Sequence, residues 1–146
     1  MTQRIVVGVD SSDNALAALR WAAQEARLRD AELAVVHAWT VPVAVDPVGL
    51  AIGGFSHNRA DLGALAQQAC NNILDKLGPQ PNDPKILTRV IEGMPARVLL
   101  DEAKDASLVV VGARGHGGFL GLLLGSVSSV VTHHAPCPVV VVPSNG

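Results

Sequence analysis

The sequence predicts a doubly wound α/β domain, a parallel sheet with helices on both faces. Three observations carry this prediction. Short, largely β-branched apolar runs recur at Ile5–Val9, Leu33–Trp39, Lys85–Ile91, Leu108–Val111 and Val139–Val142. Between them, apolar residues repeat at three and four positions, the period of a helix buried along one side. The alternation gives five strands and four helices, and strand–helix–strand crossovers make parallel neighbours. A length of 146 residues suits one domain. A chain of that size buries roughly 68–70% of its unfolded surface.

Taken in order, the first strand closes at Asp10, and Ser11, Ser12 and Asp13 mark a helix start. Ala15, Leu19, Ala22, Ala23 and Ala26 give that helix its apolar face, and Arg27 and Arg29 suit its negative end. Leu33–Trp39 is the second strand. Thr40–Asn58 has no regular period, two prolines, three glycines and almost no charge. So long a connection is unusual in a compact domain. It reads as a flap near the site or as a disordered surface excursion. Arg59–Leu77 is the second helix, with Leu62, Leu65, Ala66, Ala69, Ile73 and Leu77 on its apolar face. Gly78-Pro79 stops it. Lys85–Ile91 is the third strand, turned by Glu92-Gly93, and Pro95 suits the first position of a third helix. Leu108–Val111 reads as a strand buried on both faces. Gly125–His134 is the last helix, stopped by Pro136, and Val139–Val142 is the last strand.

Composition excludes several classes. No apolar run is long enough to span a bilayer. The opening MTQRIVVGVD lacks the layout of a signal peptide, so a cytoplasmic protein is expected. A net charge of −2 gives no electrostatic case for nucleic acid or anionic membrane. With no Tyr, a base-stacking surface is not expected either. Cys70 and Cys137 make no disulfide framework and read as buried thiols. No CxxC or HxxxH occurs, so no metal site built from protein ligands is expected. His133 and His134 point about 100° apart on a helix and suit its last turn rather than one ion. His37, inside a strand, reads as a hydrogen-bonded core residue.

Glycines crowd the stretch after the fourth strand: Gly112, Gly115, Gly117, Gly118, Gly121 and Gly125. Glycine lets backbone N–H groups converge without interference from Cβ. The N-terminus of the next helix adds unpaired donors and partial positive charge. Together these form a seat for phosphate. The same turn can equally serve tight packing. Ser126 at the helix start and Arg114 in the loop favour phosphate. Arg114 reads equally as a solvated loop residue. Neither the P-loop nor the dinucleotide fingerprint fits, because no Lys stands between Gly125 and Ser126 and the first turn reads GVDSSD.

The spacing Gly112-x2-Gly115-x9-Gly125-Ser126 is similar to the nucleotide motif of the universal stress protein family, in its ATP-binding branch. RIVVGVDSS, EGMPARVLL and APCPVVVV also resemble that family, so the likeness covers essentially the whole chain. It implies the strand order 3-2-1-4-5, which pattern alone does not give. In that order strands one and four are neighbours, and Asp10 and Gly112 meet at one crevice. The resemblance implies ATP, with Mg²⁺ held mainly by phosphates and water. It places Gly112, Gly115, Gly125 and Ser126 on ribose and phosphates, with Val127 and Ser128 adding an N–H or a hydroxyl. Asp10, otherwise a helix-capping carboxylate, would face ribose hydroxyls or the cation. Ala38 would read adenine through its main chain, with Trp39 beside the pocket. The strand Val139–Val142 would pair with a second copy in a homodimer. Ser11 and His116 depart from the common residues, Gly and Arg.

Nothing in the chain is arranged for fast chemistry: no P-loop Lys, no evident general base, no paired carboxylates. A nucleotide-binding stress or signalling protein with slow or no ATP hydrolysis is expected, its nucleotide state setting its partner. An AMP or cyclic-AMP binder is the alternative. An adenylating enzyme is disfavoured, because GVDSSDN is neither an SGGxDS-type nor a HIGH-type motif.

Overall fold

The computed structural model describes residues 3–41, 59–114 and 124–143. The expected flap, apart from Thr40 and Val41, lies outside them, as do Gly115 and His116. The elements run β1 (Arg4–Gly8), α1 (Asp13–Arg29), β2 (Glu32–Trp39), α2 (Arg59–Leu77), β3 (Ile86–Glu92), α3 (Pro95–Glu102), a 3₁₀ turn (Ala103–Asp105), β4 (Leu108–Gly112), α4 (Ser126–His134) and β5 (Val139–Val142). Each strand and helix read from the sequence is present, with ends moved by at most one residue. The strands form one parallel sheet in the order β3-β2-β1-β4-β5.

The pleat sorts the core into two layers. Ile5, Val7, Leu33, Val35, Leu108 and Val110 face α1 and α2. Val6, Ala34, Val36, Val109 and Val111 face α3 and α4, against Val98, Leu99 and Val131. β4 is therefore apolar at every one of its four valine and leucine positions because both faces are covered. The inner side of α1 is mostly alanine, at 15, 18, 22, 23 and 26, and all five are buried. Small side chains there let the helix lie close to the sheet.

Helix α2 departs from its expected face. Ala66, Cys70 and Ile73 are buried, but Leu65 is 54% exposed. The three-and-four repeat of α2 makes a stripe wider than the sheet beneath it. α2 lies over β2 and β3, and edge strand β3 leaves Thr88 and Arg89 exposed. Cys70 and Cys137 are free thiols, and burial raises both above the ordinary thiol value. For Cys70, with no exposed surface, this contribution to stability is complete below the ordinary value and is lost as pH rises through the folded one. Among the described residues no helix is long and apolar enough to cross a membrane.

Two substitutions on α2 test this packing by urea denaturation. Ile73→Ala, at a position 6% exposed, is expected to cost about 2–5 kcal/mol. Leu65→Ala should stay within about 0.5 kcal/mol of wild type.

Candidate functional site

Strands β1 and β4 are neighbours, paired Ile5–Leu108, Val6–Val109 and Val7–Val110. The chain leaves β1 for α1 on one face of the sheet and leaves β4 for α4 on the other. In open α/β sheets ligands bind where two such connections diverge, in the crevice beyond the strand C-termini. The residues at that edge come from four places in the sequence.

At the end of β1, the Asp10 carboxylate accepts hydrogen bonds from the Ser12 N–H at 2.8 Å and from the Ser12 hydroxyl. The Ser12 hydroxyl in turn accepts from Ala15 N–H at 3.3 Å, so Ser12, not Asp10, is the N-cap of α1. Asp10 thereby orders the turn from behind. The His37 Nδ1–H donates to the Val9 carbonyl at 2.9 Å, which fastens β2 to the chain just ahead of Asp10. His37 is thus hydrogen-bonded as its place in a strand predicts. The last β1–β2 pair is Gly8–Val36, and beyond it the Val9 N–H still donates to the Val36 carbonyl at 2.9 Å. Ala38 directs its side chain to the α3/α4 layer, and Trp39 packs against Gly63 of α2.

At the end of β4, Gly112 permits a close approach. A Cβ there would lie 3.3 Å from both Cβ and the backbone oxygen of Asn14, in the first turn of α1. The Asn14 side-chain amide donates to the Arg114 carbonyl at 3.0 Å. The Arg114 guanidinium forms no ion pair with another described residue.

The chain re-enters at Gly125, whose N–H donates to the Ala113 carbonyl at 2.6 Å. Gly125 is the N-cap of α4 and has no side chain to cap it. Its φ of −73° and ψ of 174° are ordinary extended values, so the turn does not demand glycine for its shape. What glycine contributes is the missing cap. The first intrahelical bond is Ser129 N–H to Gly125 O, at 3.0 Å. The N–H groups of Ser126, Val127 and Ser128 lie ahead of it, among the donors an α-helix leaves without helical acceptors. Ser126 is exposed and Val127 half-buried. The Ser128 hydroxyl is buried, 2.9 Å from the Ala113 carbonyl and 3.1 Å from that of Gly125, and shares its proton between them. It is committed to the backbone rather than to the crevice.

Of the sequence-expected residues, Asp10, Ala38, Gly112, Gly125, Ser126 and Val127 gather at the C-terminal edge of the sheet. Arg114 stands at the start of the loop there. Gly115 lies outside the described residues. Asn14 borders this edge through the Arg114 carbonyl, a contact that sequence reasoning missed. Its position after Ser12-Asp13 reads only as helix start, and its contact spans 100 positions. His133 and His134 behave as helix-end residues: His133 Nδ1–H donates to the Ser129 carbonyl at 2.7 Å. Among the described residues no group of three or more His, Cys, Asp or Glu could hold a metal ion.

A glycine-ended strand beside an uncapped helix, at the switch point of a 3-2-1-4-5 sheet, invites comparison with known proteins. The model of the universal stress protein family matches residues 1–143. This chain belongs to the universal stress protein family. A family member of Mycobacterium tuberculosis is 36% identical over 138 residues, 94% of this chain and 46% of the relative. One of Mycolicibacterium smegmatis is 39% identical over 139 residues, 94% of this chain and 47% of the relative. The chain thus spans about half the length of the curated relatives it matches. Among solved structures, the universal stress protein UspA of Lactobacillus plantarum superposes with a TM-score of 0.76 at 27% identity, covering 96% of this chain and 97% of that one. A universal stress protein in complex with cAMP gives 0.64 at 27% identity, covering 96% and 95%. That of Archaeoglobus fulgidus in complex with dAMP gives 0.61 at 28%, covering 95% and 96%.

The close approach at Gly112 has a measurable consequence. Gly112→Ala presses a methyl group on the backbone of α1 and is expected to lower unfolding free energy by about 1–3 kcal/mol in urea titration.

Proposed function

We propose that this protein binds an adenine nucleotide at the β1–β4 crevice, ATP with Mg²⁺ first, and acts in stress response or signalling. The observation that carries the reading is the uncapped N-terminus of α4 beyond Gly125, at the point where β1 and β4 send their chains to opposite faces. Three N–H groups and the partial positive end of the helix suit a phosphate chain. Each hydrogen bond to a charged oxygen contributes about 1.5–3 kcal/mol. Ser126 adds a hydroxyl, Arg114 supplies a cation free of other described ion pairs, and the family motif assigns Gly115 to the phosphates as well. Asp10 takes the ribose side, where a carboxylate escapes repulsion from the phosphates. Mg²⁺ is held mainly by phosphates and water. The main chain of Ala38 reads adenine.

A second reading, an AMP or cyclic-AMP binder, is favoured by the two related structures whose ligands are cAMP and dAMP. In either case hydrolysis is slow or absent, and the nucleotide selects a partner. The protein works as a homodimer through β5, a four-valine edge strand.

Calorimetric titration with ATP, ADP, AMP, cyclic AMP and adenosine tests the reading. Affinity is expected to rise with phosphate number and to fall for ATP when EDTA removes Mg²⁺. Gly125→Asp supplies the cap that α4 lacks and sets a carboxylate against the phosphates. It should weaken ATP binding by about 100-fold or more, two charge-assisted bonds being worth about that much, and a melting curve of the variant reports whether the buried position accepts the carboxylate. Equal affinity of wild type and Gly125→Asp contradicts the proposal.

The dimer has its own test. Val142 and Pro138 turn their carbonyls to β4, so Val139 and Val141 present backbone groups outward. Val141→Pro removes an outward N–H while sparing the β4 ladder. Sedimentation equilibrium should then give half the wild-type mass.

A further inference from the structure

We infer that the side chains of Asn14 and Ser128 are positioning groups of this site, which aim the α4 N–H donors without themselves touching the ligand. The inference rests on the nucleotide reading above and assigns the residues that set its geometry.

A continuous run of hydrogen bonds borders the crevice. It begins with Asp10 and Ser12, which fix the first turn of α1. Asn14, the second residue of that helix, carries the run across to the Arg114 carbonyl at 3.0 Å. Ala113 continues it in both directions. Its N–H donates to the Val142 carbonyl at 2.8 Å, which ties it to the β5 edge. Its carbonyl accepts from Gly125 N–H at 2.6 Å and from the buried Ser128 hydroxyl at 2.9 Å. Asn14 thus holds the chain where it leaves β4, and Ser128 holds it where it enters α4.

The chemistry fits these two side chains. A carbonyl oxygen has two lone pairs, and the second on Ala113 is taken by a side chain whose own helix it fastens. The Asn14 amide is engaged by the Arg114 carbonyl at 3.0 Å, and a Cβ at position 112 would crowd the Cβ of Asn14, so glycine there leaves that side chain its place. A binding geometry held within about 0.5 Å needs such outer support. Neither side chain is available to a ligand while it makes these bonds. Ser128 therefore contributes to the site by placement, its backbone N–H excepted.

Two readouts test this. Asn14→Leu keeps size and neutrality but removes the donor, and Ser128→Ala removes the hydroxyl, which Ser128→Thr retains. The first readout is limited trypsin digestion followed by mass spectrometry. The bond cleaved after Arg114 carries the very carbonyl that Asn14 holds, and cleavage there reports local opening. Asn14→Leu should raise that rate about fivefold, the value of one hydrogen bond, with little change in melting temperature. The second readout is calorimetric affinity for Mg-ATP and for adenosine. Asn14→Leu and Ser128→Ala should each weaken ATP about fivefold or more and leave adenosine unchanged, while Ser128→Thr behaves as wild type.

Unchanged ATP affinity in Asn14→Leu, with faster cleavage after Arg114, overturns the inference. So does a parallel loss of ATP and adenosine affinity that follows the melting temperature, since that marks a merely structural role. If wild type binds neither ligand, the nucleotide reading falls and takes this one with it. The cleavage rates then still report whether the tether exists. Should Ser128→Ala fail to fold, Asn14→Leu, at a half-buried position, carries the test alone.

Discussion

Strand β1 lies against β4 through three parallel pairs, and both strands are buried on the two faces of the sheet. That pairing makes the rest of the site possible. α1 and α4 must occupy opposite layers, because each follows one of these strands and packs on its own core cluster. The ends of the strands are then left uncovered between the diverging chains. Without the burial of Ile5, Val6, Val7, Val109 and Val110, the two sequence-distant motifs would have no fixed separation.

The two helices that meet there begin differently, and the difference has chemical meaning. α1 is closed by Ser12, braced by Asp10, and its first donors are partly satisfied. α4 begins at a glycine with no side-chain acceptor. A Ser, Thr, Asp or Asn cap commonly stabilises a helix by about 0.5–2 kcal/mol over Ala. With Gly125 in that place the loss is only a few tenths of a kcal/mol, the first donors of α4 carry no side-chain acceptor, and the Ser128 hydroxyl ties the turn to the Ala113 carbonyl instead. On the proposed reading, those open donors are what a phosphate chain would engage.

The elements were legible because each rule acted locally. β-branched runs gave the strands, the helical repeat gave the helices, and Pro95, Gly78 and Pro136 marked boundaries. The sheet order was not legible from pattern, since a crossover connection says that two strands are parallel but not which edge receives the next one. Family resemblance supplied it. Leu65 misled because its spacing matches the helical stripe, and spacing does not report how far the sheet extends beneath. The family motifs singled out Asp10, Gly112, Gly125 and Ser126, and these do stand at the ends of β1 and β4 and at the start of α4. Asn14 was not, because a contact across 100 positions leaves no trace in local pattern. That the Ser128 hydroxyl turns inward was not legible either, because it depends on where the Ala113 carbonyl lies.

The central claim is that the bare first turn of α4 receives phosphate. Backbone amide resonances of Ser126, Val127 and Ser128, followed by ¹⁵N–¹H spectra during titration with Mg-ATP and with adenosine, test it most directly. The account predicts that all three move with Mg-ATP to saturation and stay nearly still with adenosine. Three unmoved amides at saturating Mg-ATP, or equal shifts with adenosine, contradict it.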